Sequence, residues 1–187
     1  MSDKQYVQQL QQACAQGECF DYLCFWGHTP KAGYSVDQSC FSQWYPAPFS
    51  VDGHVYATAE HYMMAQKALL FGDEAVFAQV LQAATPKQAK DLGRQVRGYQ
   101  EDVWEAQRFA IVCAGNLAKF SQHLDLQTFL LATGKRVLVE ASPVDRIWGI
   151  GLAANHAHAK QAQRWQGLNL LGFALMQVRS ELQQREV

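Results

Sequence analysis

The sequence lacks a long apolar run and a large net charge. No apolar stretch approaches the ~20 residues that a membrane-spanning helix needs. The polar first residues also lack the apolar segment of a secretory signal, so we expect a soluble, cytoplasmic protein. Sixteen basic and seventeen acidic residues give a formal net charge of -1. This balance provides no overall field to attract nucleic acid or an anionic membrane, so any charged binding site must be local.

Paired cysteines, repeats and linkers are also missing. The five cysteines are an odd number and form no C-x-x-C pair, which argues against a disulfide framework and a structural zinc site. What is present is a 49% hydrophobic composition, enough for a sizeable core. We therefore predict a single domain over residues 1–187, in which residues 1–20 form an N-terminal helical extension.

Hydrophobic periodicity and capping residues predict a mainly helical fold with a few short strands, at the margin of the α+β class. The strongest local strand signal is Asp52-Gly53, which is typical of a hairpin turn. The predicted helices cover Lys4–Gln16, Thr58–Gly72, Glu74–Ala83, Pro86–Arg97, Asp102–Leu117, Asp125–Ala132 and a long segment after Asn169, and the predicted strands cover Tyr22–Trp26, Phe49–Val51, His54–Tyr56 and Arg136–Glu140. Asn169 is predicted to cap the last helix, whose buried stripe is Leu171, Leu175, Val178 and Leu182. The predicted core side of the helix Asp102–Leu117 consists of Val103, Trp104, Gln107, Ile111 and Ala114.

The helix that begins at Thr58 places an acid and a base on one side. Glu60, Met64, Lys67 and Phe71 are spaced i, i+4, i+7 and i+11, so they share one stripe. Glu60 is equally explained as a first-turn partner of the helix dipole. The neighbouring His61 points elsewhere around the helix and is better interpreted as a hydrogen-bonded core residue than as a base.

A local basic stripe is predicted on the helix Pro86–Arg97. Lys90, Arg94 and Arg97 fall at i, i+4 and i+7. Two interpretations remain open: a solvated helix face, which we favour slightly, or a clamp for a ligand phosphate, because guanidinium groups match phosphate oxygens.

The segment from Glu140 to Gly151, EASPVDRIWGIG, combines acids, an indole and glycines. Such a loop can hold a carboxylate and an aromatic face toward one ligand, although Asp145 as a turn cap and Trp148 as a core residue would explain it too. Glu140 ends a strand beside an apolar neighbour, so its carboxylate must be paired or functional.

Several motifs in a fixed order resemble one family, the NADAR or YbiA-like N-glycosidases. They are FSQWYP (41–46), TAEHYMMAQKA (58–68), KFSQH (119–123), LLATG (130–134), LVEASPVDRIWGIG (138–151) and WxGxNLLGxxLMxVR (165–179). The resemblance implies a compact, mostly helical fold that is particular to this family. It also implies hydrolysis of N-glycosidic bonds in ribosylated, phosphate-bearing substrates, with no metal and no cofactor.

Known substrates of the family include riboflavin-pathway ribosylamino-pyrimidine phosphates and ADP-ribose attached to guanine in DNA or RNA, so we expect one of these as the partner. A different class of function is a sensor that binds ADP-ribose or another nucleotide without turnover. Many members have Asn where this chain has Gln43, which leaves no family role to copy onto that position.

The resemblance also assigns residues. It implies that Glu60 is the leading acid/base, that Asp145 belongs to the catalytic site and that Lys67 binds phosphate or attacks an opened sugar as an amine. We expect Glu60 and the bend from Asp145 to Trp148 to meet across one ribose-sized cleft. The predicted substrate-binding residues are Trp104, which would stack on the base, together with Trp148, Arg94, Glu140, Phe41 and Asn169. For Glu140, a structural ion pair is an equally open alternative.

Overall fold

The computed structural model describes residues 2–185 and shows a mainly helical protein with four short strands among them. This confirms the predicted fold class. The elements, in chain order, are α1 (Asp3–Ala15), β1 (Tyr22–Phe25), β2 (Phe49–Val51), β3 (His54–Tyr56), α2 (Ala59–Leu70), α3 (Glu74–Leu81), α4 (Pro86–Gly93), α5 (Glu101–Gln122), α6 (Leu124–Leu131), β4 (Val137–Glu140) and α7 (Leu170–Arg185).

These elements form two compact units. The first comprises residues 2–42 with 125–185, and the second comprises residues 43–124. The prediction of one domain with an N-terminal extension stays a prediction. Within residues 2–185, no helix is both long enough and apolar enough to cross a membrane.

The first unit is built on two parallel strands and the last helix. β1 pairs with β4 so that Phe25 lies opposite Glu140, and Val137, Leu138 and Val139 are buried. α7 packs against β4 at Gly172, where an added Cβ would lie only 2.1 Å from the carbonyl oxygen of Leu138. The predicted apolar stripe of this helix is confirmed, because Leu171, Leu175, Val178 and Leu182 are all buried.

The second unit begins with the predicted hairpin and continues into a nearly buried helix. β2 and β3 are antiparallel, and both turn residues, Asp52 and Gly53, have positive φ, as the tightest hairpin turns require. Thr58 caps α2 by accepting a hydrogen bond from the backbone N–H of His61. Glycines allow α4 and α5 to approach this helix, because a Cβ on Gly93 would strike Met64 and a Cβ on Gly115 would strike Tyr62.

Two helix predictions in this unit need correction. α4 ends at Gly93, so Arg94 and Arg97 do not continue a helical stripe with Lys90. The cause is a tertiary contact, because Asp73 accepts hydrogen bonds from the backbone N–H and the guanidinium of Arg97. This ion pair lowers the pKa of the Asp73 carboxyl well below its usual range.

α5 also buries a different face from the predicted one. The periodicity of Val103, Trp104, Gln107, Ile111 and Ala114 suggested the core side, but Gln107 and Ala114 are exposed. The buried set contains polar and charged side chains, and this is why a hydrophobic pattern misses it. It comprises Trp104, Arg108, Val112, Cys113, Gly115, Asn116, Lys119 and Phe120.

Candidate active site

Glu60 lies in the first turn of α2 and is 3% exposed. Its backbone N–H donates a 2.9 Å hydrogen bond to the carbonyl oxygen of Gln43, so the segment before β2 satisfies one of the open N–H groups of the helix. The position near the helix N-terminus favours a negative charge on the carboxylate. The structure thus holds the backbone of the predicted acid/base at a defined place.

His61 has the structural role that the sequence indicates. Its Nε2 lies 3.1 Å from the carbonyl oxygen of Ala83, which can only accept, so Nε2 carries the proton. Nδ1 lies 2.8 Å from the Thr58 hydroxyl, which donates to it. Burial lowers the pKa of this imidazole. His61 is therefore a neutral, hydrogen-bonded core residue.

Lys67 lies two turns after Glu60 on the same helix, against two aromatic rings. Its Nζ is 4.2 Å from the ring centroid of Tyr99 and 5.5 Å from that of Trp104, distances at which a cation is attracted to the ring face. Burial lowers the pKa of Lys67, the charge of Arg94 lowers it further, and Glu101 raises it. In this environment, the ammonium group of Lys67 is less hydrated than that of a lysine on the surface.

The residues around Lys67 include two more of the predicted set. Trp104 on α5 is 7% exposed, and Arg94 at the end of α4 is exposed and 3.6 Å from Asp91. Tyr99, which the sequence did not indicate, donates a 2.7 Å hydrogen bond to Glu101. The second unit therefore brings Lys67 against Tyr99 and Trp104, and the charge of Arg94 acts on Lys67. Base stacking by Trp104 stays a prediction.

In the first unit, Asp145 organises the loop that the sequence singled out. Its Oδ1 accepts hydrogen bonds of 2.8 Å from the backbone N–H groups of both Ile147 and Trp148, and its own N–H donates to the Ser142 hydroxyl. Asp145 thus caps a turn, which was one of the two open interpretations. This contact fixes the bend between Asp145 and Trp148, and a direct role in catalysis stays a prediction.

The same loop is hydrogen-bonded to the segment before α7 and to the first two residues of that helix. Five backbone N–H groups donate hydrogen bonds to carbonyl oxygens of residues 146–150; they belong to Gln166, Leu168, Asn169, Leu170 and Leu171. The approach is so close that a Cβ on Gly167 would lie 2.3 Å from the carbonyl oxygen of Gly149. Because so many backbone hydrogen bonds hold this loop, it is a rigid support for its side chains.

Asn169 has a different contact from the predicted helix cap. Its side chain bonds to β4 rather than to the first turn of α7, because Oδ1 accepts from the Glu140 N–H and Nδ2 donates to the Leu138 carbonyl, both at 2.9 Å. Phe41 is fully buried between Phe25 and Phe129. Substrate contact by Asn169, Phe41, Glu140 or Trp148 stays a prediction, as does the shared cleft with Glu60.

The sequence reasoning missed three buried polar side chains on α5. Arg108 is 3% exposed, and Asn116 and Lys119 are 0% exposed. They fall at i, i+8 and i+11, so they follow Trp104 along one face. For Arg108 and Lys119, the available signal in the sequence was their helical spacing from Trp104, at i+4 and i+15. A buried charge needs compensation by partners, so this face is a polar interior surface rather than a plain core.

Comparison with known proteins identifies the family of this chain. A model of the NADAR domain matches residues 24–183 of this chain. The chain belongs to the NADAR domain family. A protein of Acanthamoeba polyphaga mimivirus, N-glycosidase R617, is 47% identical over 169 residues, which cover 87% of this chain and 97% of that protein.

Another NADAR relative is N-glycosidase YbiA of Escherichia coli, 34% identical over 148 residues, which cover 79% of this chain and 84% of that protein. The NMR structure of YbiA has a TM-score of 0.71 to this fold, at 29% identity, covering 90% of this chain and 89% of that chain. These relatives confirm the predicted family and fold. They also identify this NADAR protein as an N-glycosidase, as predicted.

Proposed function

We propose that this N-glycosidase hydrolyses the bond between ribose C1′ and nitrogen in a phosphorylated ribosyl substrate. Two substrates fit: ADP-ribose attached to guanine in DNA or RNA, and ribosylamino-pyrimidine phosphates of the riboflavin pathway. The proposal depends on one observation, the presence of Glu60 and Lys67 two turns apart on the buried helix α2. A carboxylate and a cation are the charges that such a substrate requires near its sugar and its phosphate.

The reaction explains why an acid is needed. As the bond from C1′ to nitrogen breaks, the nitrogen keeps the electron pair and takes up a proton, while C1′ develops positive charge and forms a bond to the oxygen of a water molecule, which gives up a proton. A carboxyl group stabilises that charge or transfers a proton at the two steps. Glu60 is the residue that we assign to this role. Asp145 in the other unit is the second predicted acid, and its part in the reaction is also a proposal.

Lys67 is assigned to the phosphate. The rings of Tyr99 and Trp104 hold its ammonium in place, so less side-chain entropy is lost when an anion binds. The nearby guanidinium of Arg94 adds positive charge for the same anion. An ammonium group beside an indole suits a nucleotide-like ligand, because the ammonium of Lys67 can bind its phosphate and the indole of Trp104 can stack on its base.

Replacing Glu60 with glutamine tests the proposal. The change is nearly isosteric and removes only the ability to carry charge or a proton, so we expect kcat to fall by about 10²- to 10⁴-fold while the substrate still binds. Product release from ADP-ribosylated guanosine and from a ribosylamino-pyrimidine phosphate would be followed by chromatography, and binding by calorimetry. Asp125→Asn, an exposed acid at the start of α6, serves as the matched control.

The outcomes separate the alternatives. Turnover of one substrate by the wild type and loss in Glu60→Gln support the assignment and identify the substrate. Wild-type rates in Glu60→Gln contradict it. Binding of ADP-ribose without any product from the wild type would instead favour a sensor.

A further inference from the structure

Gln43 and Asn116 form a buried pair of side-chain amides in the second unit. Asn116 on α5 donates a 2.8 Å hydrogen bond from Nδ2 to Oε1 of Gln43, and a second one of 2.9 Å to the carbonyl oxygen of Val112. The exposed fraction is 0% for Asn116 and 8% for Gln43. Both protons of the Asn116 amide are therefore used, and one of them fixes the side chain of a residue 73 positions away in the sequence.

The pair connects α5 with the start of α2 through the backbone of Gln43. While its side chain bonds to Asn116, its carbonyl oxygen accepts the hydrogen bond from the Glu60 N–H. The two groups belong to one residue, so a shift of the Gln43 backbone would alter both hydrogen bonds, and the bond to Asn116 restrains that backbone at the first turn of α2. The position of Glu60 is thereby coupled to an amide on a different helix.

The pair includes a buried acceptor that carries a cost in stability. Oδ1 of Asn116 is buried without a hydrogen-bond partner among the described residues, and a buried acceptor in this state lowers stability. Apolar side chains of the same shape would fill this volume without that penalty. A buried polar group with such a cost points to a requirement for a fixed geometry rather than for stability.

We propose that Asn116 and Gln43 are positioning residues that act on catalysis through Glu60. They fix the first turn of α2 and hence the direction from which the Glu60 carboxyl meets the substrate. The inference rests on the proposed function, because it assumes that Glu60 acts in the reaction. It assigns to position 43, where this chain carries glutamine, a role that depends on the length of that side chain.

Isosteric substitutions test the pair. Gln43→Met and Asn116→Leu keep the approximate volume and remove the hydrogen bond. We expect each to lower kcat about tenfold or more with KM within about twofold, because misplacing a catalytic group affects the transition state more than binding. The double variant should be no slower than the slower single variant, since both changes remove the same bond.

Thermal unfolding distinguishes positioning from a structural role. The double variant should unfold within a few degrees of the wild type, because its apolar side chains replace a pair that contains an unbonded acceptor. Gln122→Met is the matched control. Gln122 also lies on α5 and its amide makes two hydrogen bonds to the backbone of Ser50, yet it has no link to α2, so its loss should leave kcat unchanged.

An exchange variant adds a rescue test. Gln43→Asn shortens one side chain by a methylene group and should lose activity, whereas Asn116→Gln in that background restores the combined length. We expect the exchange to recover at least about threefold in kcat over Gln43→Asn alone, because the bond is re-formed.

Glu60→Gln is measured in parallel with the same substrates. If Glu60→Gln is inactive but the pair variants keep kcat within about twofold, only this inference is wrong. The inference is also wrong, and the proposed function unaffected, if their losses multiply in the double variant and track a fall in the unfolding temperature. If Glu60→Gln turns over like the wild type, the proposed function is wrong and the inference falls with it.

Discussion

At the scale of single residues, the surroundings of Lys67 are compatible with two chemical roles. An ammonium against Tyr99 and Trp104 keeps its charge for an anion, and this favours phosphate binding. The same partial burial lowers the pKa of Lys67 and so raises the fraction of neutral amine, which a nucleophilic role would require. The two roles predict different kinetics.

We predict that Lys67→Met raises KM by about tenfold or more and changes kcat little, because the lost contact is made equally in the ground state and the transition state. Lys67→Arg should retain most activity, since a guanidinium also binds phosphate. Steady-state kinetics on the substrate identified with the wild type provide the measurement. Lys87→Met removes an exposed lysine that pairs with Asp91 and serves as the control.

A nucleophilic Lys67 would give the opposite pattern. Lys67→Arg would then be inactive, and borohydride would reduce an imine between Nζ and C1′ to a stable amine, detectable as a mass increase on the peptide that contains Lys67. Either result would contradict simple phosphate binding.

Residue identities in the site were predictable to a limited degree. The turn cap at Asp145 and the core role of His61 follow from local spacing and polarity. Tyr99 and Asn116 carried no comparable local signal, because their contacts with Lys67 and Gln43 join segments that are distant in the sequence. A single sequence without three-dimensional information does not contain those pairings.

At the scale of elements, local signals were reliable and tertiary ones were not. The hairpin was predicted at its observed bounds because Asp52-Gly53 determines the turn within four residues. The helix from Pro86 was predicted four residues too long, because its end depends on the bond from Arg97 to Asp73. The buried side of α5 was misjudged because Arg108 and Lys119 are buried despite their charge.

The contact between α7 and β4 yields a prediction about stability. Gly172 lies inside α7, where alanine would normally be the better helix former by roughly 1 kcal/mol. Here the added methyl group would collide with the Leu138 carbonyl and the Asn169 amide. We expect Gly172→Ala to lower the free energy of unfolding by about 1–3 kcal/mol, measured by urea denaturation.

Ser180→Ala is the control for this prediction, because Ser180 is exposed on the same helix and its hydroxyl donates to the Met176 carbonyl of the preceding turn. It should leave stability unchanged or raise it slightly. A Gly172→Ala protein as stable as Ser180→Ala would show that α7 does not depend on this close approach to β4.

At the scale of the whole molecule, the order of motifs carried more information than composition. A net charge of -1 and 49% hydrophobic residues fit a large number of globular enzymes. The motifs between Phe41 and Arg179 predicted the family that the domain match then showed. The motif from Trp165 to Arg179 shows why such a pattern is specific, because Gly167 and Gly172 lack side chains where the backbone makes close contacts.

The stability of the folded molecule should also depend on pH through His61. Burial lowers the pKa of this imidazole from its ordinary 6.5, so below that pH the unfolded chain takes up a proton that the folded chain still excludes. Stability therefore rises with pH in this range and is lost as the solution is acidified. One such group contributes at most about 1.4 kcal/mol per pH unit.

We predict that His61→Gln reduces the loss of stability between pH 7 and pH 5 relative to the wild type, even though the variant is less stable at pH 7 because it loses the bond to Thr58 or to Ala83. The measurement is the unfolding free energy from urea titrations at half-unit pH steps. His156→Gln, which removes an exposed imidazole, controls for the loss of a histidine. Equal slopes for wild type and His61→Gln would mean that the folded protein accommodates a charged His61, and the neutral assignment built on its contacts with Thr58 and Ala83 would then be wrong.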